Sequence, residues 1–217
     1  MDKVTVYVDG FNFYYSLKRM RTVDPVWKSF YWIDFVKFFE LFLGNNQVLQ
    51  KVVYFTTPPL DLQKSNRQGV LFKANKLLNG KRFEVVKGKF IMKELVCPRC
   101  HYKYIKPEEK QTDVNISVQM MRDCALDNVD TIILVTADSD LLPPLKTIKK
   151  DHPNKRIKIY FPPKGFSNDL NNFLKTARRK PVLLERAKPK FLKSVMPDTV
   201  TKGNKSYTIP PEWKNVT

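Results

Sequence analysis

The chain has 217 residues, 42% of them hydrophobic and 12% aromatic, with a net charge of +18 from 39 Lys+Arg against 21 Asp+Glu. Such a length and apolar content support one globular domain with a real core and an appendage, while three cysteines exclude a disulfide framework. No apolar run approaches the roughly 20 residues of a bilayer span, and the positive excess favours nucleic acid over an anionic membrane as partner.

The opening MDKVTVYVDG reads as the start of the domain and not as a leader, so the expected location is cytoplasmic. Lys3–Val8 is a short strand; Asp9–Asn12 breaks it at Gly10, and Phe11–Met20 continues as a helix. Arg21–Lys28 is a polar loop, and Ile33–Leu43 carries apolar residues at helical spacing up to Gly44. Lys51–Thr57 is a second strand closed by Pro58 and Pro59, Asp61–Asn79 a helix ending at Gly80, and Arg82–Val86 a third strand. Residues 87–110 interrupt this rhythm with two strand-like pieces around Cys97-Pro98-Arg99-Cys100. Asp113–Leu126 resumes as a helix whose Val114, Val118, Met121 and Ala125 are predicted to face the sheet. Thr131–Val135 is apolar and β-branched, as in a strand buried on both faces, and it runs into Asp138-Ser139-Asp140 and a helix to Lys150. Pro143 and Pro144 fall in that helix's first turn, where missing N–H groups cost little. Arg156–Phe161 is the last strand and Asn168–Ala177 the last helix. Residues 178–217 hold ten Lys/Arg against three Asp/Glu and read as a basic tail.

Five strands alternating with helices imply a Rossmann-like, three-layer α/β/α sandwich over residues 1–177 with a central parallel sheet. Strand C-termini share one edge of such a sheet, where open α/β folds place their chemistry. Asp9 follows the first strand, Asp138 and Asp140 follow the fourth, and Asp113 begins a helix that also starts at that edge. Each acid taken alone has a second reading as a helix cap, and Asp140 stays open between ligand and cap. Together, three distant segments deliver acids to one place. Like charges so close repel, and a divalent cation offsets that repulsion; oxygen-only ligands suit Mg²⁺ or Mn²⁺. Such a site activates water and neutralises a phosphodiester. Asn12 is placed to orient a carboxylate or a metal-bound water, and Lys110 to hold a phosphate.

VDGFN at Val8–Asn12, KQTDVNI at Lys110–Ile116 and LVTADSDLLP at Leu134–Pro143 resemble the NYN domain, a branch of the PIN-like nucleases, especially the bacterial LabA/DUF88-like group. The resemblance spans about residues 3–177. It implies a PIN-like fold and metal-dependent RNA cleavage, with Asp9, Asp113 and Asp138 as metal ligands, Asp140 as a fourth acid and Asn12 in support. The chain departs from many relatives at Gln119 and Asn172, where a further acid is usual.

Outside that set, Cys97, Cys100 and His101 make half of a zinc ribbon, one ligand short of a closed site unless a second protomer of a homodimer completes it. The same hairpin interleaves basic residues with Phe90, Tyr102 and Tyr104, which suits single-stranded RNA and equally an ordinary solvated hairpin. Ser167 and Asn168 either cap the last helix or hold a phosphate at its N-terminus. No phosphate-binding P-loop, GxSxG elbow or HExxH pair is present, and two histidines do not suggest a histidine-pair ribonuclease. The reading is a metal-dependent ribonuclease, with a non-catalytic RNA-binding adaptor on the same fold as the alternative.

Overall fold

Six parallel strands form the centre of the computed structural model, which describes residues 1–214. They are β1 (Asp2–Asp9), β2 (Gln47–Thr56), β3 (Phe83–Lys87), β6 (Thr131–Val135), β7 (Arg156–Phe161) and β8 (Val182–Leu183). Between β3 and β6 lies an antiparallel hairpin of β4 (Lys89–Val96) and β5 (Lys103–Lys110). The sheet order is β3-β2-β1-β6-β7-β8, so the chain winds outward in both directions from the β1/β6 pair. That pair is the topological switch point, where diverging connections leave a crevice at the strand C-termini.

Both faces of the sheet are covered, and the strand alternation shows it. Val4, Val6, Val8, Ile133 and Val135 point into one core with α1 (Gly10–Arg21), α2 (Phe35–Glu40) and α3 (Leu62–Asn79). Tyr7, Ile132 and Leu134 point into the other with α4 (Thr112–Ala125), α5 (Leu142–Asp151) and α6 (Asn168–Thr176). The first core is rich in aromatic rings, including Trp27, Phe30, Phe35 and Phe38; the second is mainly aliphatic. This is the three-layer α/β architecture expected from the alternating elements.

Three local readings change. The sheet has a sixth strand, β8, drawn from the segment read as a basic tail. That segment also forms α7 (Lys188–Ser194) and a small hairpin, β9 (Thr199–Lys202) with β10 (Lys205–Thr208). Leu184, Phe191, Met196, Val200, Ile209 and Trp213 are buried in the aromatic core. Backbone bonds tie it down, with Met196 N–H donating to the Trp32 carbonyl at 3.0 Å and Asp34 N–H to the Ser194 carbonyl at 2.8 Å. Residues 215–217 of the expected tail lie outside the described residues.

The face of α4 also differs. Val114, Val118 and Met121 are exposed, while Thr112, Ile116, Met120, Asp123 and Cys124 face the sheet. The buried stripe includes a carboxylate, which hides it from an apolar count. Tyr7 Oη donates to Asp123 Oδ2 at 2.7 Å, and Lys51 Nζ lies 3.7 Å away, so this buried acid is paired. Finally, the stretch after Asp138 opens with a 3₁₀ turn, Ser139–Leu141, before α5 begins.

Candidate metal centre

β1 ends on Asp9, and the chain turns at once into α1. Gly10 lets that turn lie close against β2: a Cβ there would lie 2.4 Å from the Tyr54 ring and 2.5 Å from the Phe55 carbonyl oxygen. Asp9 caps α1 by accepting from Asn12 N–H at 3.1 Å. Its other oxygen accepts from Asn12 Nδ2 at 2.5 Å and from Thr136 Oγ1 at 2.8 Å. The carboxylate is buried, which raises its pKa; the bonds from Asn12 and Thr136 oppose that rise, and the charge of Asp138 adds to it.

Asp138 lies three residues beyond β6, the strand that pairs with β1. Thr136 links them, since its hydroxyl donates to Asp9 and accepts from Asp138 N–H at 3.0 Å. Asp138 in turn accepts from Asp140 N–H at 2.9 Å, capping the 3₁₀ turn. Asp113 enters from the first turn of α4, behind Gln111 in a left-handed conformation (φ 81°). One oxygen from each of Asp9, Asp113 and Asp138 lies within 4.8 Å of the others, the single such His/Cys/Asp/Glu cluster among the described residues. Burial and the charges of Asp9, Asp138, Glu109 and Asp140 raise Asp113 to about 6.

The repulsion recorded in Asp113, the oxygen-only donors and their mutual spacing fit a hard divalent cation. Asn12 donates to Asp9 through its side chain, and Asp140 is exposed, acting on the cluster through its charge and its backbone N–H. Lys110 is exposed at the end of β5 and pairs with Glu108 at 3.0 Å. Ser167 is used as the cap of α6, accepting from Leu170 N–H at 3.4 Å, and Asn168 is exposed. The loop before it comes close to the centre, since a Cβ on Gly165 would lie 3.1 Å from Ala137 Cβ. Cys97, Cys100 and His101 sit at the tip of the β4–β5 hairpin, where His101 N–H donates to the Cys97 carbonyl at 2.9 Å. They form no three-ligand cluster among the described residues. Gln119 does not reach the acids and donates to Asp123 at 3.1 Å.

One acid at this edge escaped the sequence reading. Glu109, near the end of β5, accepts from Thr57 Oγ1 at 3.0 Å and from Thr112 Oγ1. Gly88 leaves the space, since a Cβ there would lie 2.5 Å from Thr57 Oγ1 and 2.8 Å from Glu109 Oε1. The only signal in the sequence is the pair Glu108-Glu109 just ahead of Asp113.

A family model described as the NYN domain matches residues 3–177. The 6-hydroxy-3-succinoylpyridine 3-monooxygenase HspA of Pseudomonas putida is 25% identical over an alignment 205 positions long, gaps included, that covers 79% of this chain and 63% of that protein. The chain thus spans less than two thirds of the length of this relative. A crystal structure of a protein of unknown function from Vibrio parahaemolyticus superposes with a TM-score of 0.50 at 20% identity, over 79% of this chain and 88% of the other, a likeness of fold alone.

Proposed function

Because the chain belongs to the NYN domain family, within the PIN-like nuclease superfamily, we propose that it is a metal-dependent ribonuclease acting on single-stranded RNA. The observation that carries this reading is the convergence of Asp9, Asp113 and Asp138, from three distant segments, within 4.8 Å at the switch point of the sheet. A divalent cation held by these three supplies Lewis acidity toward a phosphodiester and its attacking water. The chain's own residues do the positioning. Asn12 and Thr136 fix the Asp9 carboxylate, and the Thr136 hydroxyl ties Asp9 to the backbone of Asp138. Glu109, held by two threonine hydroxyls, adds a further negative charge beside Asp113. The net charge of +18 attracts the polyanion.

The test is cleavage of end-labelled single-stranded RNA with Mn²⁺. Asp138→Asn is expected to lower the rate on the order of a hundredfold, the scale of losing one group that organises transition-state charge. Equal cleavage by both proteins, or none by either across several RNAs and metals, sinks the proposal. Binding of RNA without cleavage, weakening steeply with salt, would instead favour the non-catalytic adaptor.

A second reading has the same edge acting on a small aromatic compound. It draws on the HspA likeness and on an aromatic-walled cavity beside the acids. Turnover of a hydroxypyridine by the purified protein, followed by its ultraviolet absorbance, separates it from RNA cleavage.

A further inference from the structure

Next to the acids the aromatic side of the sheet opens into a cavity of 520 Å³. That lies within the roughly 300–1,000 Å³ of pockets that enclose a small organic molecule. None of the three carboxylates lines it. It adjoins them through Gly10, the residue after Asp9, and through Thr57, which holds Glu109.

Its wall combines flat rings and cations. Tyr14 and Tyr15 lie side by side on α1, 37% and 46% exposed, and the Phe11 ring stacks on Tyr15 at 6.2 Å. Two adjacent tyrosines open to solvent beside a buried core are poorly explained by packing. Tyr31, tilted against Tyr14 at 5.5 Å, completes this side; its buried hydroxyl has no hydrogen-bond partner. Arg21, Lys64 and Arg67 line the same space against two carboxylates, Asp61 and Glu212, both already paired with Lys64 and Arg67. Arg21 pairs with no carboxylate among the described residues and is the cation left for a ligand. Rings that stack, a free guanidinium and an adjoining acid centre match a nucleotide: the base has a π-face for tyrosine and the phosphate a charge for arginine.

Resting on the ribonuclease reading, we propose that this cavity receives the base of the nucleotide next to the phosphodiester at the acids, stacked on Tyr15, with Arg21 serving the neighbouring phosphate. The cavity is thereby the subsite that selects single-stranded RNA, because a paired base is not free to enter it. Besides β2, the segment of Tyr31 and α3, which carries Lys64 and Arg67, three further places wall it. α1 supplies the tyrosines, the β4–β5 hairpin supplies Phe90 and Pro107, and the C-terminal segment supplies Glu212 and Trp213.

The probe is a short RNA carrying 2-aminopurine, whose fluorescence is quenched on stacking, titrated with the full chain in EDTA so that no cleavage occurs. Wild-type protein is expected to change the fluorescence on binding. Tyr15→Ala is expected to abolish that change and weaken binding about tenfold, as loss of one base-stacking ring does. Arg21→Gln is expected to weaken binding several-fold while keeping the fluorescence change. Lys150→Gln, on α5 at the opposite face, serves as the control. Unchanged affinity and fluorescence in Tyr15→Ala overturn the subsite, as does a hydroxypyridine that fills the cavity and that RNA does not displace. Cleavage with Mn²⁺ is scored separately: a protein that cleaves without the Tyr15 effect loses only the subsite. One that shows the Tyr15 effect without cleaving keeps the subsite and loses the ribonuclease reading.

Discussion

The β4–β5 hairpin and the C-terminal segment look alike as sequences and behave oppositely in the fold. Both are rich in Lys and Arg, and both fall outside the regular alternation of strand and helix. The hairpin leaves Ile91, Met92, Val96 and Ile105 exposed, whereas the C-terminal segment buries Phe191, Met196, Val200, Ile209 and Trp213. Charge content does not decide which of two basic segments joins a core. What decides is whether a large apolar side chain meets a surface that needs covering. Phe191 does, with its ring 4.2 Å from Phe38, 4.9 Å from Phe30 and 5.3 Å from Trp27. Those three rings lie on elements too short to bury one another without it.

The largest effect that tests this contrast is removal of the C-terminal segment. A chain ending at residue 177 is expected to give no cooperative unfolding transition, because it loses strand β8 and opens the aromatic core. Phe191→Ala, a gentler form of the same change, is expected to cost about 3–5 kcal/mol in urea denaturation, the range for emptying a buried aromatic site. Stability within 1 kcal/mol of wild type for Phe191→Ala (about the effect of a surface change) would return the segment to the status of an appendage.

The opposite outcome is expected of the hairpin tip. Lys93 and Lys106 are partners across the ladder, so Glu94–Ile105 can be replaced by Asn-Gly, which favours a two-residue hairpin turn. The change removes Cys97, Cys100 and His101 and keeps Phe90, Pro107 and Glu109. Tm is expected to move by no more than about 2 °C, as for surface changes in a chain of this size. RNA cleavage is expected to stay within a few-fold, since the acids and the cavity wall are retained. A fall of many degrees, matched by a zinc-dependent Tm in wild type, would make the tip a structural metal module.

The same contrast explains what the sequence reveals and what it hides. Strands β1, β2, β3, β6 and β7 are legible because each is a short β-branched or aromatic run closed by a breaker, and their order follows from alternation with helices. The acid edge is legible because topology alone brings Asp9, Asp113 and Asp138 there. The C-terminal segment is hidden because its core residues arrive singly between lysines and prolines, without period. The sheet-facing side of α4 is hidden because it includes Asp123, while Val118 and Met121 make a false stripe on the exposed side. Glu109 is hidden because its place depends on a hairpin register and on the space left by Gly88. Long-range contacts set all three, and no local pattern encodes them.

The smallest expected effect concerns the one point where the hairpin reaches the acids. Glu109 is among the charges that raise Asp113 from its ordinary 3.8 to about 6. A carboxyl raised in the folded protein takes up its proton before the unfolded chain does as pH falls. Between those two values the folded state therefore holds more protons, and stability decreases as pH rises. Metal-free protein is thus expected to show a Tm that falls from pH 4.5 to pH 6.5, a window set by the shift of Asp113. Several carboxyls, among them Asp2 and Asp127, are shifted downward and act below this window. Glu109→Gln is expected to make the fall shallower by removing one repelling charge, and Asp113→Asn to remove the part that Asp113 contributes. Saturating Mn²⁺ is expected to reverse the slope, because the cation binds the ionised acids and stabilises the fold more as they deprotonate. A slope in Glu109→Gln equal to that of wild type would mean that the hairpin's acid, despite its fixed position against Thr57 and Thr112, adds nothing to the charge at the centre.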